Sequence, residues 1–193
     1  MLSRMRLFTG LAIPEHLIAP LETVMNLLRG TAPLRWSPVE NLHITTKFIG
    51  EWPEARLAEL QEALAKMPKP GVFEMSVGRF GFLPNPHRPK IFFAGVHGGA
   101  GLGELATKME DTVANLGVKR EERPYTPHLT LARIGNESIV GLREKIAELT
   151  RSGANLDFGA FTAKEFHLYL SKSGPGGSVY SRLAAYSLEK AAS

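Results

Sequence analysis

The sequence predicts an α+β fold built from two similar halves, each with the element order βαβαβ. Short apolar runs typical of strands alternate with stretches whose apolar residues recur every three or four positions, as in helices. One tripeptide also occurs twice, as His43-Ile44-Thr45 and His128-Leu129-Thr130, 85 residues apart. The same offset carries further identities without a gap: Phe8/Phe93, Gly10/Gly95, Leu17/Leu102, Ile49/Ile134, Gly50/Gly135, Leu57/Leu142, Leu64/Leu149 and Phe73/Phe158. We therefore expect a duplicated half-domain, with two lobes of mostly antiparallel sheet, outer helices and a central cleft.

The first half is expected over about residues 5–83, with the histidine tripeptide on its middle strand. Prolines mark the helix boundaries because proline fits the first helical turn but not the interior. The predicted elements are a strand at 7–13, a helix between Pro14 and Gly30, a strand at 42–49, a helix from Pro53 to Pro68 and a strand at 72–82.

The second half is expected over about residues 90–163, after a proline-rich connection at 84–89. The glycine-rich segment 98–101 is predicted to be a loop. A C-terminal hairpin over 164–189 should turn at Gly174-Pro175-Gly176-Gly177. The other predicted elements are strands at 91–96, 128–134 and 156–161, and helices at 102–116 and 138–150.

Composition sets limits on the class of protein. A chain of 193 residues fits one bilobal domain over 1–193, and its net charge of +4 weakly favours an anionic partner such as RNA or phosphate. The absence of cysteine excludes disulfides, thiol nucleophiles and cysteine-ligated zinc. No apolar run approaches the roughly 20 residues of a membrane span. The N-terminal apolar stretch is better explained as a buried strand than as a signal peptide, so we expect a cytoplasmic protein without membrane attachment.

The repeated tripeptide is suited to acid–base chemistry on a phosphate. Residues i and i+2 of a strand share a face, so His43 lies beside Thr45, and His128 beside Thr130, at roughly 6.5 Å. An imidazole titrates near neutral pH, so one histidine of a pair can act as a general base while the other acts as a general acid. The threonine hydroxyls can hold phosphate oxygens.

Metal binding is the competing explanation for a histidine pair. Zinc sites usually need three or four protein ligands, and neither tripeptide has another histidine or a carboxylate at ligand spacing. The glycine-rich segment lacks the Lys-Ser/Thr of a phosphate-binding loop. We therefore expect no metal and no cofactor, and we interpret the other four histidines as structural or solvated.

The motifs resemble those of the 2H phosphoesterase superfamily, and more closely those of the RNA 2′,3′-cyclic phosphodiesterase family, also called 2′-5′ RNA ligases. The similar stretches are 6–8, 36–38, 40–45, 47–51 and 125–133. The resemblance implies metal-independent hydrolysis of an RNA 2′,3′-cyclic phosphate to a 2′-phosphomonoester. It makes His43 the proton donor, His128 the proton acceptor and Arg133 a phosphate contact. Thr46 departs from the usual apolar residue and is expected to face away from the site.

Three further residues are candidate substrate contacts. Arg133 is five positions after His128, and a regular strand would place it on the opposite face, so it reaches the site only if the strand ends or bends first. Tyr125 or Phe48 would stack on a base, since single-stranded ends are often held by aromatic rings. For each of these two aromatics, packing in the core is the alternative.

Two other functions stay open from the sequence. One is a cyclic phosphodiesterase acting on a small nucleotide or an ADP-ribose derivative. The other is a non-catalytic RNA-binding module, in which the basic loop with Lys119, Arg120 and Arg123 would bind the nucleic acid. The reverse reaction, joining a 2′,3′-cyclic end to a 5′-hydroxyl through a 2′-5′ linkage, is open to the same histidines. A monomer is expected, because the duplication already supplies a symmetric site.

Overall fold

The structure, a computed structural model, describes residues 3–174 and 177–189. Four helices are formed: α1 (Glu15–Arg29), α2 (Leu57–Lys66), α3 (Gly99–Ala114) and α4 (Val140–Arg151). The strands are β1 (Arg4–Ala12), β2 (Arg35–Trp36), β3 (His43–Pro53), β4 (Phe73–Leu83), β5 (Ile91–His97), β6 (His128–Arg133), β7 (Asp157–Ala163), β8 (Glu165–Gly174) and β9 (Gly177–Ser187). Pro175 and Gly176, at the predicted hairpin turn, lie outside the described residues.

The strands form one curled sheet in the order β7-β4-β5-β6-β3-β1-β8-β9, with the short β2 on β6. Each strand pairing within the described residues is antiparallel. At the centre, β3 meets β6 through a single residue pair, Ile44 with Leu129. We call the four strands on the β3 side the first lobe and the four on the β6 side the second lobe. The predicted fold class is confirmed.

The lobes do not coincide with the two halves of the chain. β4, from the first half, pairs with β5 and β7 in the second lobe. β8 pairs with β1 and so completes the first lobe. The two-fold symmetry of the strand order therefore relates β4 to β8, while β7 and β9 occupy the two outer edges.

The helices cover one face of the sheet and leave the other open. α3 packs against β3 and β4, α2 against α3 and β9, and α1 against β7 and α4. The strand residues that face them, such as Leu7, Ile44 and Leu129, are fully buried. Burying a leucine-sized side chain contributes about 1.5–3 kcal/mol, so this face forms the core. Across residues 3–174 and 177–189, no helix has the length and apolar character needed to cross a membrane.

The prediction of a loop at 98–101 was wrong, because α3 already begins at Gly99. The reason is close packing against β4. A Cβ at Gly101 would lie 2.5–2.7 Å from the ring and Cβ of Phe73. Gly101 therefore lets α3 pack closely against β4, and it does not interrupt the helix.

We expect Gly101→Ala to lower the free energy of unfolding by about 1–3 kcal/mol, because the added methyl group must displace Phe73. Gly103 provides a matched control two positions along α3, since it is exposed and a Cβ there would meet nothing within 4 Å. Gly103→Ala should instead stabilise by about 0.5–1 kcal/mol. Urea unfolding of both variants measures the difference; equal effects would contradict the packing role of Gly101.

Candidate active site

Both histidine tripeptides lie on the open face of the sheet, side by side at its centre. His43 and Thr45 are half-buried on β3, and His128 and Thr130 occupy the same positions on β6. An antiparallel pairing centred on Ile44 and Leu129 sets each histidine beside the threonine of the other strand. Diagonal neighbours in such a ladder are about 7–8 Å apart, which leaves room for a phosphate between the two imidazoles. The structure therefore brings the four predicted groups into one cleft.

The two imidazoles are held in the same way. The Nδ1 of His43 lies 2.7 Å from the carbonyl oxygen of Asn41, and the Nδ1 of His128 lies 2.7 Å from that of Thr126. A carbonyl can only accept, so Nδ1 carries the proton in both rings. In the neutral form this leaves the lone pair on Nε2. The hydrogen bond thus fixes the orientation of each ring, and it selects the tautomer that a general base requires.

The electrostatic surroundings favour neutral imidazoles in both motifs. Burial is the main cause of a lowered pKa at His43 and at His128, partly opposed by the hydrogen bond from Nδ1. The positive charge of Arg133 lowers the pKa of both rings further, and His128 adds to the effect at His43. A bound phosphate would reverse this balance, because a nearby anion stabilises the protonated form.

Arg133 lies on the face of His128 because β6 contains a β-bulge, the kind of departure from a regular strand that its odd spacing from His128 required. In the pairing with β5, Phe93 lies opposite Thr130 but Phe92 lies opposite Ala132, which leaves Leu131 as an extra residue. Leu131 and Ala132 are both fully buried, and Arg133 returns to the face of His128 with its side chain exposed. A bulge of this kind re-aims the side chains that follow it.

A second bulge on β3 repeats this geometry. Against β1, Gly10 pairs with Thr45 and Thr9 with Lys47, so Thr46 is the extra residue. Phe48 consequently emerges on the open face, 50% exposed, at the position that Arg133 has on β6. The guanidinium of Arg6 lies 5.0 Å from the centre of its ring. Phe48 therefore presents an aromatic surface with a cation on it, rather than a core side chain.

Tyr125 joins the two motifs through its hydroxyl group. It donates a hydrogen bond of 2.9 Å to the carbonyl oxygen of Thr45, and burial raises its pKa well above the ordinary range, so the hydroxyl keeps its proton. The loop that leads into His128 is thereby attached to the strand that carries His43. Tyr125 as a whole is 38% exposed.

Thr46 faces away from the cleft, as predicted, and its hydroxyl lies 2.8 Å from that of Thr9 among the buried residues. Lys47 follows it into the interior, where its ammonium lies 2.7 Å from Glu110 of α3 and 3.2 Å from the carbonyl oxygen of Lys119. This buried ion pair connects β3, α3 and the start of the charged loop 119–123. The loop is therefore fixed at both ends, by Lys47 and by Tyr125.

Sequence reasoning missed an aromatic cluster around His43. The ring centres of Phe8, Tyr180 and Tyr169 lie 4.7, 5.0 and 5.8 Å from the imidazole. The Phe8/Phe93 identity of the repeat was an available signal, since Phe93 lies 5.6 Å from His128. The two tyrosines come from β8 and β9, which lie beyond the sequence repeat. The 85-residue offset of the repeat therefore could not have identified them.

Among the side chains that the structure describes, no three histidine, aspartate or glutamate groups lie close enough together to hold a metal ion. A duplicated antiparallel sheet with two His-x-Thr motifs in a shared cleft defines the class of two-histidine phosphoesterases. The model of the 2′-5′ RNA ligase superfamily matches residues 14–175. The chain belongs to this superfamily, as its motifs had indicated.

Curated relatives match the chain along most of its length. A protein of Methanocaldococcus jannaschii is 30% identical over 177 residues, which are 91% of this chain and 96% of that protein. One of Thermus thermophilus is 31% identical over 195 residues, covering 95% and 90% of the two chains. One of Archaeoglobus fulgidus is 28% identical over 183 residues, covering 94% and 99%. All three are named RNA 2′,3′-cyclic phosphodiesterase.

Solved structures share the fold. The crystal structure of TT0787 of Thermus thermophilus has a TM-score of 0.77 and 26% identity, covering 97% of this chain and all of that one. Escherichia coli LigT complexed with 3′-AMP also has a TM-score of 0.77, at 20% identity and the same coverage. The second likeness concerns the fold alone.

Proposed function

We propose that the protein hydrolyses RNA 2′,3′-cyclic phosphodiester ends to 2′-phosphomonoesters. The observation that carries the proposal is the matched pair of imidazoles in one cleft, each with Nδ1 bonded to a carbonyl and Nε2 left for chemistry. The names of the relatives support the same substrate. A five-membered cyclic phosphate requires a 2′-hydroxyl, so DNA cannot supply it.

In the proposed mechanism the cyclic phosphate lies between the two motifs. His128 removes a proton from a water in line with the bond from phosphorus to O3′. As the water oxygen bonds to phosphorus, the P–O3′ bond breaks and protonated His43 gives its proton to O3′. The product carries a 2′-phosphate and a 3′-hydroxyl, and the two histidines end with exchanged protonation states.

Three other groups would stabilise the charge that builds on the non-bridging oxygens. The hydroxyls of Thr45 and Thr130 lie beside the histidines, and Arg133 supplies a positive charge on the same face. Such donors act most strongly when they are already in place before the reaction. Run in reverse, the same groups would join a cyclic end to a 5′-hydroxyl through a 2′-5′ linkage.

The test is incubation with a short RNA that ends in a 2′,3′-cyclic phosphate, in EDTA, with the product assigned by phosphorus NMR. A 2′-phosphate formed by the wild-type protein and not by His43→Ala is the expected result. A 3′-phosphate, or no turnover by the folded protein, would contradict the proposal.

We expect a bell-shaped dependence of kcat/KM on pH, with its maximum below pH 6.5. This parameter reports the free protein, in which the pKa of both imidazoles lies below the ordinary 6.5, and activity needs one ring protonated and one neutral. The kcat maximum should lie at higher pH, because the bound anion raises the pKa of the acid.

Arg133→Gln should move the kcat/KM maximum to higher pH, since it removes a charge that lowers both pKa values. His87→Ala is the control: it changes an exposed histidine in the loop between β4 and β5 and should leave the profile in place. A wild-type kcat/KM maximum above pH 7 would contradict the assignment.

A further inference from the structure

A cavity of about 360 Å³ opens beside His43, on the side away from the second lobe. The first helix, the short turn that precedes His43 and the C-terminal hairpin enclose it. The volume lies within the range of about 300–1,000 Å³ that small-molecule sites occupy. Residues that matter for its chemistry are Glu15, Glu40, Asn41, Tyr169, Tyr180 and Arg182.

The lining combines flat aromatic surface with polar groups of both signs. Tyr180 supplies a half-buried ring, while Tyr169 is buried and stacked on Phe8. Arg182 supplies hydrogen-bond donors and a positive charge near Tyr169. Glu15 and Glu40 supply carboxylate acceptors. A nucleobase has this pattern in complementary form, since it offers a π-face for stacking and an edge with both donors and acceptors.

The wall of the cavity is a built structure rather than a gap between mobile parts. The side-chain amide of Asn41 donates a hydrogen bond of 2.7 Å to the carbonyl oxygen of Ser178, which joins the turn before His43 to β9. Asn41 is also the residue whose carbonyl oxygen accepts the proton of His43 Nδ1. One residue therefore positions both the histidine and the mouth of the cavity.

His43 belongs to the cavity lining and to the catalytic cleft at once. A nucleotide with its phosphate between the two histidines can therefore extend into the cavity without leaving the site. The cavity lies on the side of His43, and the ring of Tyr180 in its lining is 5.0 Å from that imidazole. The arrangement puts the nucleoside, and so the departing O3′, on the side of His43.

We propose that this cavity binds the terminal nucleoside of the RNA, with its base against Tyr180. The inference rests on the proposed function, because it takes the substrate to be a nucleotide held by the two histidines. It adds a specificity site formed by the C-terminal hairpin, outside the duplicated part of the chain. The base, and not the phosphate alone, then contributes to affinity.

The test is calorimetric binding of adenosine 2′-monophosphate, ribose 2-phosphate and inorganic phosphate to the full-length protein. For the wild type, loss of the base should weaken binding about 5- to 150-fold, the range for one stacked base. Tyr180→Leu should weaken binding of the adenosine compound by a similar factor and leave phosphate binding unchanged. Tyr180→Phe, which keeps the ring, should stay within about twofold of the wild type.

Equal affinity of the wild type for the compounds with and without the base would overturn the proposal, and this comparison needs no variant. So would a Tyr180→Leu variant that loses phosphate and nucleotide binding alike, since the ring would then serve only to pack against His43. If the protein hydrolyses cyclic ends but fails these binding tests, only the proposal of a nucleoside-binding cavity is wrong. If binding depends on the base but no hydrolysis occurs, the nucleoside-binding proposal is supported and the proposed activity is wrong.

Discussion

Alanine in place of either motif histidine lowers the turnover of a 2′,3′-cyclic phosphate by about 10²- to 10⁴-fold, the usual contribution of one acid–base group. Both rings are half-buried on the open face and outside the apolar core, so the variants are expected to fold. Rates at saturating substrate, with circular dichroism as a check on folding, measure the effect. His87→Ala is the control, because it removes an exposed imidazole in the loop between β4 and β5.

A substrate with sulfur in place of the bridging O3′ separates the two roles. A thiolate leaves without needing a proton, so the loss caused by His43→Ala should largely disappear with this substrate. The loss caused by His128→Ala should remain, because the water still has to be deprotonated. If both variants recovered alike, or both kept wild-type rates on the natural substrate, the assignment of donor and acceptor would be wrong.

The second large effect is on stability, at the buried ion pair beneath the site. Lys47→Met should lower the free energy of unfolding by about 2–4 kcal/mol, since it leaves the carboxylate of Glu110 without its partner. Lys47 is 7% exposed and Glu110 is 22% exposed, so solvent screens this pair only in part. Chemical unfolding in urea at pH 7 gives the value.

The double variant Lys47→Met/Glu110→Gln should recover most of this loss. It removes the unpaired charge, yet the glutamine still offers an oxygen to the backbone N–H of Glu121 that Glu110 now bonds at 3.1 Å. Lys66→Met breaks an exposed pair with Glu62 and should leave stability nearly unchanged, because solvent screens that pair. Equal losses of stability in the Lys47 and Lys66 variants would show that burial does not make the Lys47–Glu110 pair more important for stability.

The order of helices and strands, the fold class and the family could be predicted because their signals are local. Helical spacing, proline at helix starts and a tripeptide repeated at one offset are each visible within a few residues. The side-by-side placement of the motifs followed from the duplication itself. For these features, local pattern and tertiary structure agree, as expected of a natural sequence.

Features that depend on contacts between distant segments could not be predicted. A bulge becomes visible only against a partner strand, so the spacing showed that Arg133 needed an irregular strand but could not locate the irregularity. The adjacent apolar residues Leu131 and Ala132 were a partial signal, since they break the alternation of the strand. Gly101 suggested a loop because its contact with Phe73 is remote in sequence. The tyrosines around His43 come from strands whose partners the repeat does not reveal.

The pairing of β8 with β1 has a consequence for how the chain folds as it is synthesised. β1 is made first, but one of its two neighbours is β8, so Phe8 pairs with Tyr169 some 160 residues later. Closing a loop of that length precedes any gain from the pairing, and such non-local contacts slow folding. A growing chain can therefore complete neither the first lobe nor the surroundings of His43 until β8 and β9 have left the ribosome.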